Sequence, residues 1–215
     1  MRRTQRRPSR SASVPRATAC PSDARTRFAP LRRAGKGPRF LAISGPSGSG
    51  KSTLARHIQA KIEKPFWHIS IDHLRDSGVL PTDRFKRGDF EWRESRSSFF
   101  AGFHASLAAY AHAGNNLIVE HILDTDGWHE TLQRQLAPFD VYFVAVHCPL
   151  PVLIERERAR GDRAIGSARQ DYETIHAGKN YDLEIQSEDG IEYNTETILK
   201  GWRSGRRVSD FSRPT

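Results

Sequence analysis

The chain has 215 residues, enough for one well-filled core, with 34 Lys and Arg against 25 Asp and Glu and a formal net charge of +9. Residues 1–38 hold eleven Arg or Lys and one acid, a net of +10 that leaves the rest of the chain at −1. A globular part so close to neutral argues against nucleic acid as its partner. The two cysteines, Cys20 and Cys148, form neither a disulfide framework nor a metal spacing, and no run approaches the roughly 18 apolar residues of a membrane span.

Residues 1–38 are rich in Arg, Ser, Ala and Pro, lack apolar periodicity and read as a disordered basic tail. Three roles stay open for it: an organelle transit peptide, an arm for an anionic partner, or sequence without function ahead of the domain. Arg2 and Arg3 are not followed by the apolar stretch a secretory signal needs. Cys148 ends an apolar run and reads as a small buried hydrophobe, which fits a reducing cytoplasm.

The first element is RFLAIS (39–44), a short apolar run with the character of a buried strand. It leads into SGPSGSGKST (44–53), which fits G-x-x-x-x-G-K-[ST] with Gly45, Gly50, Lys51 and Ser52 in register. Glycines let the backbone curl so that its N–H groups face phosphate oxygens. The helix that follows, with Leu54, Ile58 and Ile62 four apart, adds the positive end of its dipole. The nucleotide site is therefore expected at Gly45, Pro46, Ser47, Gly48, Ser49, Gly50, Lys51, Ser52 and Thr53. Lys51 would reach the β- and γ-phosphates, and Ser52 would ligate Mg²⁺.

FWHISID (66–72) reads as the second strand, closed by Asp72. A carboxylate there would emerge at the same sheet edge as the phosphate loop and could take the proton of an attacking hydroxyl. Its alternative role is a helix cap, and Asp76 is a second candidate base one turn on. A long helix over about 90–113 carries Phe99, Phe100, Phe103 and Tyr110 at near-helical spacing, mostly for the core, with one or two available to an acceptor pocket. NLIVEHIL (116–123) is the third strand. Its Glu120 stands where phosphate-loop enzymes place an acid near Mg²⁺; it could bind the ion directly, act through water, contact the acceptor, or be a satisfied buried carboxylate. His121 reads as packed or solvent-facing rather than as a metal ligand.

A helix over about 128–137 precedes VYFVAVHC (141–148), the fourth strand, which is followed by helices over about 151–159 and 164–177. The segment ERERARGDR (155–163) concentrates Arg156, Arg158, Arg160 and Arg163 around Gly161. Cations that close over a γ-phosphate stabilise its developing charge, and a lid that excludes water protects the phosphoryl donor. YDLEIQ (181–186) is the fifth strand, and a last helix covers about 191–203. Alternating strands and helices opened by this loop define an α/β P-loop NTPase: a five-stranded parallel sheet, helices on both faces and an Arg-rich lid. The domain is expected over 39–204, with a C-terminal tail over 205–215. No N-K-x-D accompanies DTDG (124–127), which argues against a regulatory GTPase, and neither H-R-D nor D-F-G is present, which argues against a protein kinase.

Taken together, SGPSGSGKST, ISIDHL, VYFVAVHCPLPVLIERERARGDR and QDYETIHAGKNYDLEIQSEDGIEYNTETI resemble the chloramphenicol phosphotransferase family of P-loop kinases over about residues 39–200. The resemblance implies ATP- and Mg²⁺-dependent transfer to the primary hydroxyl of an antibiotic such as chloramphenicol. It places the ATP-binding loop at Gly45–Thr53, the catalytic base at Asp72 and the lid arginines at Arg160 and Arg163. One member of the resembled family has Asp where this chain has Glu120 and a different sequence over residues 73–94, which should contribute to the acceptor site. Three alternatives remain: a P-loop kinase of another acceptor such as a nucleotide sugar, a non-enzymatic nucleotide sensor, and a nucleic-acid binder suggested by the tail alone.

Overall fold

The computed structural model describes residue 37, residues 39–161 and residues 165–212. The expected basic tail falls outside the described residues except for Gly37, and so does Arg163. Five strands, β1 (Arg39–Ser44), β2 (Phe66–Ser70), β3 (Asn116–His121), β4 (Asp140–His147) and β5 (Leu183–Gln186), form one sheet in the order β2-β3-β1-β4-β5. All four pairings are parallel. The connecting helices are α1 (Lys51–Lys61), α2 (Ile71–Asp76), α3 (Thr82–Lys86), α4 (Trp92–His112), α5 (Trp128–Leu136), α6 (Leu150–Arg160), α7 (Ser167–Thr174) and α8 (Ile191–Ser204).

Alternation along the strands feeds two cores. Phe40, Leu117, Val119, Val141 and Phe143 face α4 and α5, where they meet Phe103, Leu107, Leu132 and Leu136. Leu41, Ile43, Ile118 and Val144 face α1 and α8, where they meet Leu54, Ile58, Ile198 and Trp202. Strands covered on both faces can be continuously apolar, which is why β1, β3 and β4 show no polar side. No helix among the described residues is long and apolar enough to cross a membrane.

Several boundaries differ from expectation for local reasons. β2 stops at Ser70, because the Ser70 hydroxyl accepts the His73 N–H at 3.2 Å and starts α2. Asp72 therefore lies in the first turn of a helix and does not close the strand. β3 stops at His121, whose Nδ1 accepts the Leu123 N–H at 2.8 Å while Leu123 turns the chain at φ 52°. β5 starts at Leu183, after Asp182, whose carboxylate accepts the Phe143 N–H at 2.8 Å. Residues 205–212, within the expected C-terminal tail, run back against the sheet. The Asp182 carboxylate accepts the N–H groups of Val208 and Ser209, and Phe211 packs edge-on against Phe143 at 4.9 Å.

Register levels the functional ends. Ile43 pairs with Glu120, and Ser70 also pairs with Glu120, so the exits of β1, β2 and β3 share one edge. Ligands of open α/β sheets bind outside such carboxyl ends.

Candidate active site

The chain leaves β1 at Ser44 and turns into α1 through Gly45–Gly50. Gly45 and Pro46 are buried at the base of the loop. A Cβ on Gly45 would lie 2.6 Å from the Val146 carbonyl oxygen, so only glycine lets the loop pass this close to β4. Gly50, at φ 92°, swings the backbone into α1. The buried Lys51 reaches back across the loop, its Nζ donating to the Pro46 carbonyl at 2.7 Å.

The Ser52 hydroxyl donates to Glu120 Oε2 at 2.7 Å. The other oxygen of Glu120 accepts from His68 Nε2. Burial pushes the Glu120 carboxyl up. The hydrogen bonds from His68 and Ser52, with the Lys51 charge, outweigh that and hold it below the usual carboxylate range. With its proton given to Glu120, Ser52 keeps oxygen lone pairs for a ligand. A hydroxyl beside an ionised carboxylate at a helix N-terminus is a hard-oxygen donor set that fits Mg²⁺ together with phosphate oxygens.

A cavity of about 190 Å³ runs from this loop to α2. Its lining brings together Lys51, Ser52, Asp72, Glu120 and Arg160, with Ser47, Gly48, Gly50 and Thr53. Ser49 lines a neighbouring cavity of about 300 Å³ between the loop, β5 and the start of α8, where Val146, Ile185, Ile191 and Asn194 form the wall. Asp72 is half-exposed, and its Oδ1 accepts from Arg75 at 3.2 Å. Asp76, the second candidate base, binds the same arginine at 2.9 Å and does not line the cavity.

The arginine-rich segment lies over the loop. Arg156 donates to the Gly48 carbonyl at 2.6 Å, and Arg160, at the end of α6, lines both cavities. Arg158 points to solvent. From α7, the Asp171 carboxylate accepts the Ser47 N–H at 3.1 Å. Glu157 joins α6 to α7 by capping α7: it accepts from Gly166 N, Ser167 Oγ and Ala168 N at 3.1, 2.6 and 2.8 Å.

His121 is packed. Its Nδ1 accepts a backbone N–H, so its own proton sits on Nε2, 2.9 Å from His104 Nε2. Burial, and then its neighbours His104, Lys51 and Arg96, hold its pKa well below the usual histidine range, so the ring is neutral. Of the four aromatics singled out on α4, Phe100 lines the phosphate-loop cavity, Phe103 is core, and Phe99 and Tyr110 border an apolar groove beside β2. Sequence reasoning missed His68, His104 and Asp171. His68 had a signal, since Phe66, His68 and Ser70 alternate onto one face of β2. Asp171 had none, because its contact with the loop spans 124 residues.

A family model described as chloramphenicol phosphotransferase-like protein matches residues 39–200. No significant match was found among curated protein sequences. Among solved structures, a gluconokinase from Sinorhizobium meliloti 1021 is similar at TM-score 0.56 and 20% identity, covering 79% of this chain and 94% of its own. An APS kinase from Mycobacterium tuberculosis is similar at TM-score 0.56 and 17% identity, covering 79% and 99%. A tunicamycin resistance protein from Deinococcus radiodurans is similar at TM-score 0.57 and 18% identity, covering 77% and 95%. At these identities the structures speak to the fold, which is that of P-loop kinases.

Proposed function

Because the chain belongs to the chloramphenicol phosphotransferase-like family and is a kinase, we propose that it transfers the γ-phosphate of ATP to a hydroxyl of a small molecule, with chloramphenicol as the first candidate and antibiotic inactivation as the result. The observation that supports this reading is the single cavity lined by the phosphate loop, Glu120, Asp72 and Arg160. The loop amides and Lys51 take the phosphates, Lys51 exchanging the Pro46 carbonyl for phosphate oxygens. The neighbouring cavity beside Ile185 and Asn194 suits the base. Ser52 is the protein ligand for Mg²⁺, which when bound supplies neutralising charge to the phosphates, and Glu120 holds the Ser52 proton out of its way.

Asp72 accepts the proton of the acceptor hydroxyl. As the new P–O bond forms, the bond to the β-phosphate oxygen breaks and ADP leaves. Arg75 holds the Asp72 carboxylate in place until then. Arg160 balances charge on the transferring group, a role the resemblance also gives to Arg163. Phe100 and Ile71 give the acceptor side an apolar wall, which suits an alcohol carrying an aromatic ring.

The test is incubation with ATP and Mg²⁺ against a panel of hydroxylated small molecules that includes chloramphenicol and a nucleotide sugar, read by mass spectrometry for one added phosphoryl group. Transfer to chloramphenicol or another simple alcohol is the expected result. Transfer to the nucleotide sugar alone would move the acceptor class, and tight ATP binding with no transfer to any compound would leave a nucleotide sensor in place of a kinase.

A further inference from the structure

His68 plays no part in the steps above, yet it touches their centre. It lies on the edge strand β2, where its backbone pairs with Ile118. Glu120 is two residues further along β3 on the same face, a diagonal neighbour within side-chain reach. Both side chains are 6% exposed. The two oxygens of Glu120 have separate partners, Oε1 with His68 Nε2 and Oε2 with Ser52 Oγ. The His73 ring, one turn into α2, meets the His68 ring edge-on at 4.6 Å.

We propose that His68 is a positioning residue, which fixes Glu120 by one oxygen so that the other accepts the Ser52 proton and aims the Ser52 lone pairs at the cation site. A glutamate side chain has several rotamers to fix, so Glu120 gains from a second anchor. The anchor also connects two halves of the reaction. The His73 ring of α2, the helix that carries Asp72, packs on the His68 ring, so the acceptor side and the ion-binding side touch at His68. This inference rests on the kinase reading, and its test separates the two.

The experiment is calorimetric ADP binding, with Mg²⁺ and with EDTA, to the wild-type protein and to His68→Leu, His68→Gln and His68→Asn, each first checked for folding by circular dichroism. Removing a group that orients a metal ligand typically costs 10–100-fold in metal affinity. His68→Leu should therefore weaken Mg²⁺-dependent ADP binding by about tenfold or more and leave binding in EDTA unchanged. His68→Gln, whose side-chain N–H still reaches Oε1, should recover most of the loss, while the shorter His68→Asn should not. If His68→Leu fails to fold, the contrast between Gln and Asn carries the test. Equal losses with and without Mg²⁺ would assign His68 to packing alone, and unchanged binding throughout would leave it without a role; either overturns the proposal. A wild-type protein that binds ADP in neither condition would overturn the kinase reading and the proposal with it.

Discussion

Asp72 and Asp76 stand one turn apart on α2 and share Arg75, yet only Asp72 lines the phosphate-loop cavity. A positioned base typically contributes ~10²–10⁴-fold to proton transfer. Asp72→Asn keeps the shape and removes the basicity, so kcat should fall by about that factor while ATP affinity holds, because Lys51 and the loop amides still grip the phosphates. Asp76→Asn should remain near wild type in both. Steady-state kinetics on a confirmed acceptor, with ATP binding measured separately, reads the contrast; a near-normal kcat for Asp72→Asn would reduce Asp72 to a surface residue of α2. At this scale the sequence was legible where the chemistry is local. Gly45 to Thr53 is one unbroken motif whose backbone and side chains act together. The bond between Glu120 and Ser52 joins residues 68 apart, and that between Glu120 and His68 joins residues 52 apart. No spacing along the chain encodes either.

Among the elements, the five strands were legible because apolar runs buried on two faces differ sharply from their surroundings. The short helices were not. α2 begins inside what reads as a strand, and the only local mark is Ser70, a capping residue whose partner His73 cannot be seen from composition. α3 has no buried residue and so no periodicity to detect. The arginine-rich segment over the loop was legible in charge but not in mechanics. Its two helices are joined through Glu157, which takes three hydrogen bonds from the start of α7 and whose carboxyl they draw below its usual range. Glu157→Ala should fray α7 and loosen the lid without disturbing the sheet. Faster tryptic cleavage after Arg160 or Arg169, and more ATP hydrolysis when no acceptor is present, are the expected outcomes, with the thermal midpoint little changed. Wild-type cleavage kinetics and no added hydrolysis would mean that the cap is not what holds the lid.

For the whole molecule, histidines that burial holds neutral in different layers set an acid limit, and His104 and His176 join His121 in it. His104, between α4 and β3, is pushed down to about 4 by burial. His176, beyond α7, is pushed down to about 4 by burial and then by the His147 charge beside it, with ring centroids 4.3 Å apart. Both are neutral in the fold and would take up protons near their ordinary value of 6.5 once unfolded. The unfolded chain thus binds more protons between about pH 4 and 6.5, so stability is full above that window and falls as pH descends through it. Asp210 acts in a lower window. Burial raises its carboxyl, but bonds from Asn180 and His129 outweigh that, and the stability they confer is lost only below the ordinary carboxylate range. The thermal midpoint should drop between about pH 7 and pH 5, and His176→Gln should flatten part of that slope. An unchanged slope would place the acid-sensitive group elsewhere. The same architecture also divides what mutation can reach. Gly45 is pinned against β4, whereas α2 and α3, next to the acceptor side, contain no buried residue. Drift at the exposed positions of residues 77–84 therefore costs the fold little, and a lineage can explore new acceptors there while its grip on phosphate stays under purifying selection.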